Sequence, residues 1–422
     1  MRPEFSCSTG TNSEKRVSQI PPTVLRGWQV TAGPLRQTPL PAGFSGGRVF
    51  RIDSPDRGRT FAIKASPPMD RSEAPGWEHR LETICELLTN AAPHHPLLTP
   101  PLRTRQNRWG IWYGSRYWQC LPWVAGNPLP RHADRSEIMA GAKAIAEMHV
   151  TMSEAVRDAL PTGRVRPQGD GQTEQSSPAP ALIIKPPSGA KDRLRNQAER
   201  SVPRSIRQRI RRLDELQHQR GSISRPIPDR VALADCLSHR VFGQTSPLAD
   251  RLAVAIDSLR SPENGRLIGH LRHRLAEHSR HDWKQELQWV LRDIHREHLH
   301  FFGRQANFDT NRSATRGSAN GSLAGIVDFD AIGIDHVATD LARWASDFAD
   351  QPLQATVAGY REVRPLSELS AKLAADLLHA GTVAAVANWT QWLVWEKRSF
   401  PVDAAMIRDR LDHLIESVSR IC

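Results

Sequence analysis

Cysteine is scarce and scattered. The five present, Cys7, Cys85, Cys120, Cys236 and Cys422, are odd in number, lie far apart and include no CxxC pair, which excludes a disulfide framework and a zinc ribbon. A reducing cytoplasm is the compartment this usage fits. Long hydrophobic runs are also missing: nowhere do eighteen apolar residues follow one another, so the sequence predicts no membrane span. The first twenty residues are polar and lack an apolar core of signal-peptide length, so export is not expected either. Apolar residues supply only 39% of the chain, and part of it is expected to stay uncondensed. Acidic residues are outnumbered, 45 against 57 Lys plus Arg, for a formal charge of +12. That balance favours anionic partners such as nucleotides, phosphorylated metabolites or nucleic acid. At 422 residues the chain exceeds one typical domain, and two lobes are the first expectation.

Residues 1–21 carry little periodicity and read as a loose leader. From residue 22 to 122 the pattern is strand-like. "GRVFRI" (Gly47 to Ile52) and "TFAIKA" (Thr60 to Ala65) flank a turn rich in Asp, Pro and Gly, which predicts a hairpin. Trp77, Leu81, Ile84 and Leu88 share one face of a helix, and two short strands follow at Gly110 to Tyr113 and Arg116 to Leu121. The Pro/Gly-rich stretch Leu121 to Pro130 reads as a hinge into a helical lobe spanning 123–422. Ile138, Ala142, Ile145 and His149 open it at helical spacing. Residues 161–200 are rich in Pro, Gly, Ser and Gln and nearly devoid of aromatics, as in an uncondensed insertion. Leu366 to Trp395 and the stripe Ile407, Leu411, Leu414 and Val418 predict closing core helices. Trp389, Trp392 and Trp395 fit packing better than the wall of a ligand pocket.

The most informative segment pairs "WVLRDIHREHLHFFG" (Trp289 to Gly303) with "LAGIVDFDAIGIDHVATDLARWASDF" (Leu323 to Phe348). A loop holding Asp293 precedes one strand, a polar turn follows around Asn307 to Gly321, and a second strand leads to Asp328. Such a hairpin gathers two carboxylates and a histidine: Asp293 as a proton acceptor, Asp328 and His298 as ligands of a divalent cation.

These residues resemble the aminoglycoside phosphotransferase group of small-molecule kinases, relatives of choline kinase, over Pro22 to Leu160 and Leu248 to Ile421. Leu291-Arg292-Asp293 stands where that family has its catalytic loop, Asp328-Phe329-Asp330 where it has its metal-binding motif, and "TDLAR" (Thr339 to Arg343) resembles its structural Asp segment. The resemblance implies an α+β, two-lobed, protein-kinase-like fold with a small antiparallel-sheet N-lobe and a mainly helical C-lobe. It implies ATP and Mg²⁺ or Mn²⁺ as cofactors and a small-molecule hydroxyl as acceptor. "PAGFSGGRVFRI" resembles the family's phosphate-covering loop, which gives Ser45, Gly46 and Gly47 to the phosphates; small residues there let backbone N–H groups approach. Lys64, mid-strand in "FAIKA", takes the place of the strand lysine that meets the α- and β-phosphates. Its carboxylate partner is Glu78, ahead of Glu82 one turn on. Leu121, in the link from Gln119 to Gly126, falls where the family reads adenine by backbone contacts. Two positions depart from the family: His298 replaces the metal-binding Asn, and Leu291 replaces the His two places before the Asp. An imidazole nitrogen suits Mn²⁺ better than Mg²⁺.

Rival readings stay open at this stage. His295, His298 and His300 with Asp293 could hold zinc in a hydrolase, although "HREHLH" is not H-E-x-x-H; in the kinase reading, His295 orients the catalytic loop. The substitution at His298 also suits a nucleotide-binding regulatory protein without transfer activity. Arg204 to Arg220 predicts a basic helix whose charges form a solvated face, with nucleic-acid binding the less favoured alternative.

Overall fold

The computed structural model describes residues 19–28, 35–41, 44, 46–54, 58–70, 72–159, 202–221, 262–302, 322–349, 352–396, 398, 400, 402 and 404–421. Ser45, most of the 1–21 leader, the 161–200 insertion and the turn from Asn307 to Gly321 lie outside them, apart from residues 19–21. The chain forms two compact units, one from the residues up to His79 with Pro100–Trp123, the other from Arg80–Thr99 and Val124 onward.

The first unit is an antiparallel sheet of β1 (Arg36–Pro39), β2 (Arg48–Ser54), β3 (Arg59–Ala65), β4 (Ile111–Tyr113) and β5 (Arg116–Pro122), in the order β1-β2-β3-β5-β4. Period-two alternation builds it: Phe50 and Ile52 on β2 and Phe61, Ile63 and Ala65 on β3 are all buried on one face. A short helix, α1 (Pro22–Arg26), supplies Val24 and Leu25 to the same cluster, beside Trp28 and Trp118. Ile20 is buried there as well, with its N–H bonded to Gln37 Oε1 at 3.1 Å, so the packed structure begins before Pro22. The edge strand β1 carries no apolar alternation, which is why periodicity alone does not reveal it. The helix predicted around Trp77 to Leu88 is α2 (Ala74–Ala91), which starts in one unit and ends in the other.

In the second unit two small antiparallel pairings frame the Asp293 and Asp328 loops. β7 (Leu287–Val290) pairs with β10 (Gly333–His336). β6 (Asn127–Pro128), β8 (Leu299–Phe301) and β9 (Leu323–Ile326) form a three-stranded sheet in the order β6-β8-β9. Its α-helices among the described residues include α3 (Arg135–Ala159), α4 (Arg204–Gly221), α5 (Pro262–His278), α6 (Ala338–Ala345), α7 (Pro352–Arg361), α8 (Glu368–Thr390) and α9 (Ala404–Ser419). Ile138, Ala142, Ile145 and Met148 on α3 are buried. Gly141 permits Trp344 of α6 to lie against the same helix, since a Cβ there would fall 2.1 Å from the indole. Glu368–Leu393 is long and apolar enough to cross a membrane by length and composition, but Leu373, Leu377, Ala380 and Ala384 along it are core residues. Trp389 and Trp392 pack edge to face at 5.6 Å, and Trp389 also meets Phe400. Helix α4 is the predicted basic helix; Ile206 and Leu213 are buried beneath it while Arg204, Arg207 and Arg211 stay exposed.

Candidate active site

The loop after β7 is held from behind by one carboxylate. Asp340, in the first turn of α6, accepts hydrogen bonds from the backbone N–H of Leu291 at 2.7 Å and of Arg292 at 2.6 Å. His149 Nε2 lies 2.9 Å from the same carboxylate, and its Nδ1 lies 3.1 Å from the Tyr360 hydroxyl. Asp340, His149 and Tyr360 are fully buried. The clamp has a clear task, because Arg292 is left-handed with φ of 67°. A non-glycine residue persists there only where its surroundings dictate it. That turn brings Asp293 to a half-exposed position, 50% accessible.

Asp293 meets two cationic groups. Its Oδ1 accepts from the Arg343 guanidinium and lies 3.2 Å from His295 Nε2. Burial alone would raise its pKa, but the hydrogen bond from His295 and the charge of Arg343 outweigh it and hold the carboxyl well below its usual range. His295 is shared: its Nδ1 lies 3.1 Å from buried Asp347 Oδ2. Burial opposes charge on this imidazole, yet Asp347, with Asp293, lifts its pKa above the ordinary value. Asp347 also accepts from the Arg296 N–H at 2.9 Å and from Arg410 at 3.2 Å. Despite full burial, these partners keep it well below the carboxylate range. The arrangement presents an ionised carboxylate, fixed from behind and open in front. Such a group is a weak base but a firm acceptor for a hydroxyl proton.

Asp328 follows β9. Leu299 pairs with Ile326 across β8 and β9, and the Val327 N–H bonds to the His298 carbonyl at 2.9 Å. Asp328 is also left-handed, with φ of 65°, so both carboxylates follow or occupy strained positions. His298 Nε2 lies 3.5 Å from Asp328 Oδ2, and its ring meets that of His295 edge to face at 5.3 Å. Within the second unit His298 thus lies beside Asp328, and His295 stands between His298 and Asp293. Neighbouring ligands on an octahedral ion with bonds of about 2.1 Å sit about 3 Å apart, and the His298–Asp328 pair, at 3.5 Å, is slightly wider than that. Among the described residues no three His, Cys, Asp or Glu side chains form a group that could hold a metal. The zinc reading thus lacks its cluster, since His295 is already engaged by two aspartates.

In the first unit Gly46 has φ of 80°, a conformation that favours glycine, and its carbonyl accepts from Arg116 at 3.2 Å. Gly47 directly precedes β2. Lys64 is not in the middle of its strand but the penultimate residue of β3, because pairing with β2 runs back to Arg59 and stops at Ala65. It stands opposite Val49 on β2 and Gln119 on β5, on the face opposite Ile63 and Ala65. Glu78 Oε2 accepts from the Trp112 indole N–H at 2.8 Å, a partner that strand and helix periodicity did not indicate. Leu121 lies within β5, in register with Ala62, so the expected hinge from Gln119 to Gly126 opens as four residues of strand. Asp347 and Tyr360 were not singled out from the sequence, while His149 entered only as a helix position and Arg343 only as the end of "TDLAR". Spacing held a clue for two of them: Arg343 and Asp347 follow Asp340 by three and seven residues, which keeps them near one face.

No protein-family model matches the chain, and no curated protein matches it. Among solved structures, the fold is similar to that of an aminoglycoside phosphotransferase from Alicyclobacillus acidocaldarius, at 11% identity and a TM-score of 0.47 over 97% of this chain and 98% of that one. It is also similar to a spectinomycin phosphotransferase in complex with ADP, at 11% identity and 0.47 over 93% and 94%. A Plasmodium vivax ethanolamine kinase gives 10% identity and 0.44 over 96% and 84%.

Proposed function

We propose that the protein is an ATP-dependent phosphotransferase that moves the γ-phosphoryl group to a hydroxyl of a small molecule. The observation that carries this reading is Asp293: a half-exposed carboxylate held ionised by His295 and Arg343, on a loop whose backbone is clamped by buried Asp340. Asp293 accepts and orients the acceptor's hydroxyl proton. The acceptor oxygen bonds to the γ-phosphorus, the bond to the β,γ-bridging oxygen breaks, and ADP leaves. His298 and Asp328 are the residues that would hold Mg²⁺ or Mn²⁺, which supplies charge neutralisation on the β- and γ-phosphates when bound. Gly46, Gly47 and Lys64 serve the phosphates, with Glu78 and Leu121 as supporting positions on the nucleotide side. Positioning and charge stabilisation carry such reactions.

Asp293→Asn tests the reading. Turnover should fall about a hundredfold or more while ADP affinity stays near that of the parent; unchanged turnover sinks the assignment. Asp328→Ala should remove the metal dependence of nucleotide binding. The second reading, a nucleotide-binding regulatory protein, is favoured by His298 in place of the family's Asn. It predicts nucleotide binding with no transfer to any of a broad set of alcohols in either Mg²⁺ or Mn²⁺.

A further inference from the structure

One face of the second unit carries the opposite electrostatic design. A cavity of ≈ 320 Å³ is lined by Arg204, Arg207 and Arg211 on α4, by Gln208 between them, and by Arg292 from the Asp293 loop. Leu287 and Ile334 give it an apolar floor, and among the described residues no carboxylate lines it. Three of the arginines fall on one face because they recur at spacings of three and four. The fourth reaches the cavity because its left-handed backbone, clamped by Asp340, turns it there.

The charges around this cavity oppose one another. Burial first, then the positive charges of Arg204 and Arg80, push the Arg292 guanidinium below its ordinary pKa. Asp335 attracts Arg292 from behind, but it is buried and already accepts from the Ser205 N–H at 3.0 Å and the Ser205 hydroxyl at 2.9 Å. Glu215 lies 3.4 Å from Arg211 and 2.8 Å from Arg212, on the far turn of the helix. Arg209 on the same helix, pushed down to about 10 chiefly by burial, feels the charges of Arg343 and Asp293. A concave site with an apolar floor and convergent polar groups is the ordinary form of a ligand pocket. Clustered guanidinium groups match phosphate oxygens in pairs.

We propose that this cavity binds a phosphate group, and that the acceptor hydroxyl compound carries that phosphate, so that the enzyme acts on an already phosphorylated small molecule. The second clause rests on the phosphotransferase reading; the first stands without it. The site selects anions and rejects amines, because an ammonium group here would meet four guanidinium groups.

The test uses the full chain. Inorganic pyrophosphate, titrated calorimetrically in metal-free buffer, should bind, and Arg207→Ala should weaken it about tenfold, the loss expected for one charge-assisted contact. Arg207→Glu should abolish it with the thermal midpoint no lower than that of the parent. Added ADP should leave pyrophosphate binding intact, as should Asp293→Asn. Sugars and their phosphate esters, offered in matched pairs as acceptors with ATP, should show transfer to the esters, with that preference lost in Arg207→Glu. No pyrophosphate binding, displacement by ADP, or equal binding in Arg207→Glu overturns the proposal even if transfer to neutral alcohols is found. Pyrophosphate binding that responds to Arg207→Glu without transfer to any acceptor confirms the phosphate site and overturns the acceptor claim together with the phosphotransferase reading. Stronger binding of citrate than of pyrophosphate would overturn the phosphate specificity.

Discussion

Asp293 and Arg292 are neighbours in the chain and opposites in circumstance. Asp293 sits in a network where each carboxylate faces cations: Asp293 meets Arg343 and His295, and Asp347 meets His295 and Arg410. Arg292 turns into a cavity whose walls repel it. A matched network is stable by itself and holds a reacting group in one place. A cluster of like charges costs folding energy, which Asp335 and Glu215 offset in part and a bound anion would offset further. Structural organisation and ligand selection are thus divided between the two sides of one backbone turn.

The comparison breaks most severely at Asp340, which fixes both sides. Replacing it by Ala leaves one buried and one half-buried N–H group and His149 without their partner, so Asp340→Ala should cost about 3 kcal/mol or more. Denaturant unfolding checks this, and a loss below about 1 kcal/mol would mean that the loop is held by something else. Asp340→Asn keeps one acceptor oxygen and should cost less.

Asp347 comes next, because it tests whether matching depends on charge. Its folded pKa is depressed, so its contribution is full above the unfolded value of 3.8 and is lost as pH falls through the lower folded value. The parent should therefore lose stability as it is acidified below that point. Asp347→Asn should start less stable at neutral pH and lack this part of the acid limb. Thermal midpoints from pH 2 to 7 check it, and parallel curves for the two proteins would remove charge as the basis of the network.

Much of this was legible in the sequence where one period or one spacing suffices. β2 and β3 follow from Phe50, Ile52, Phe61 and Ile63, and α3 and α9 from clean apolar stripes. The nearness of His298 and Asp328 follows from a hairpin that pairs β8 with β9. What stayed hidden depends on contacts distant in the chain. His149 reads as one more position on an amphipathic helix, and only the fold brings it to Asp340, 191 residues on. The indole that engages Glu78 comes from Trp112, 34 residues away. Helix α4 was legible as basic, but its solvated face proved to be one wall of a cavity, because Arg292 and Ile334 arrive from segments eighty and more residues later.

The smallest expected effect sharpens the contrast most directly. Arg343→Ala removes a guanidinium from the matched side, where it binds Asp293, and should cost about 1 kcal/mol or more. Arg207→Ala removes one from the unmatched side, where it faces other arginines across the cavity. Its loss relieves repulsion and should change stability by no more than about 0.5 kcal/mol, toward greater stability. The two substitutions are chemically identical, so propensity and side-chain entropy nearly cancel in the comparison, and the difference reports the sign of the local field. Salt separates them further: Debye screening weakens attraction and repulsion alike, so the gap between the two variants should narrow as ionic strength rises. A gap that is absent at low salt, or that widens with salt, would show that the two faces do not differ electrostatically. The arginine cavity would then be an ordinary solvated surface.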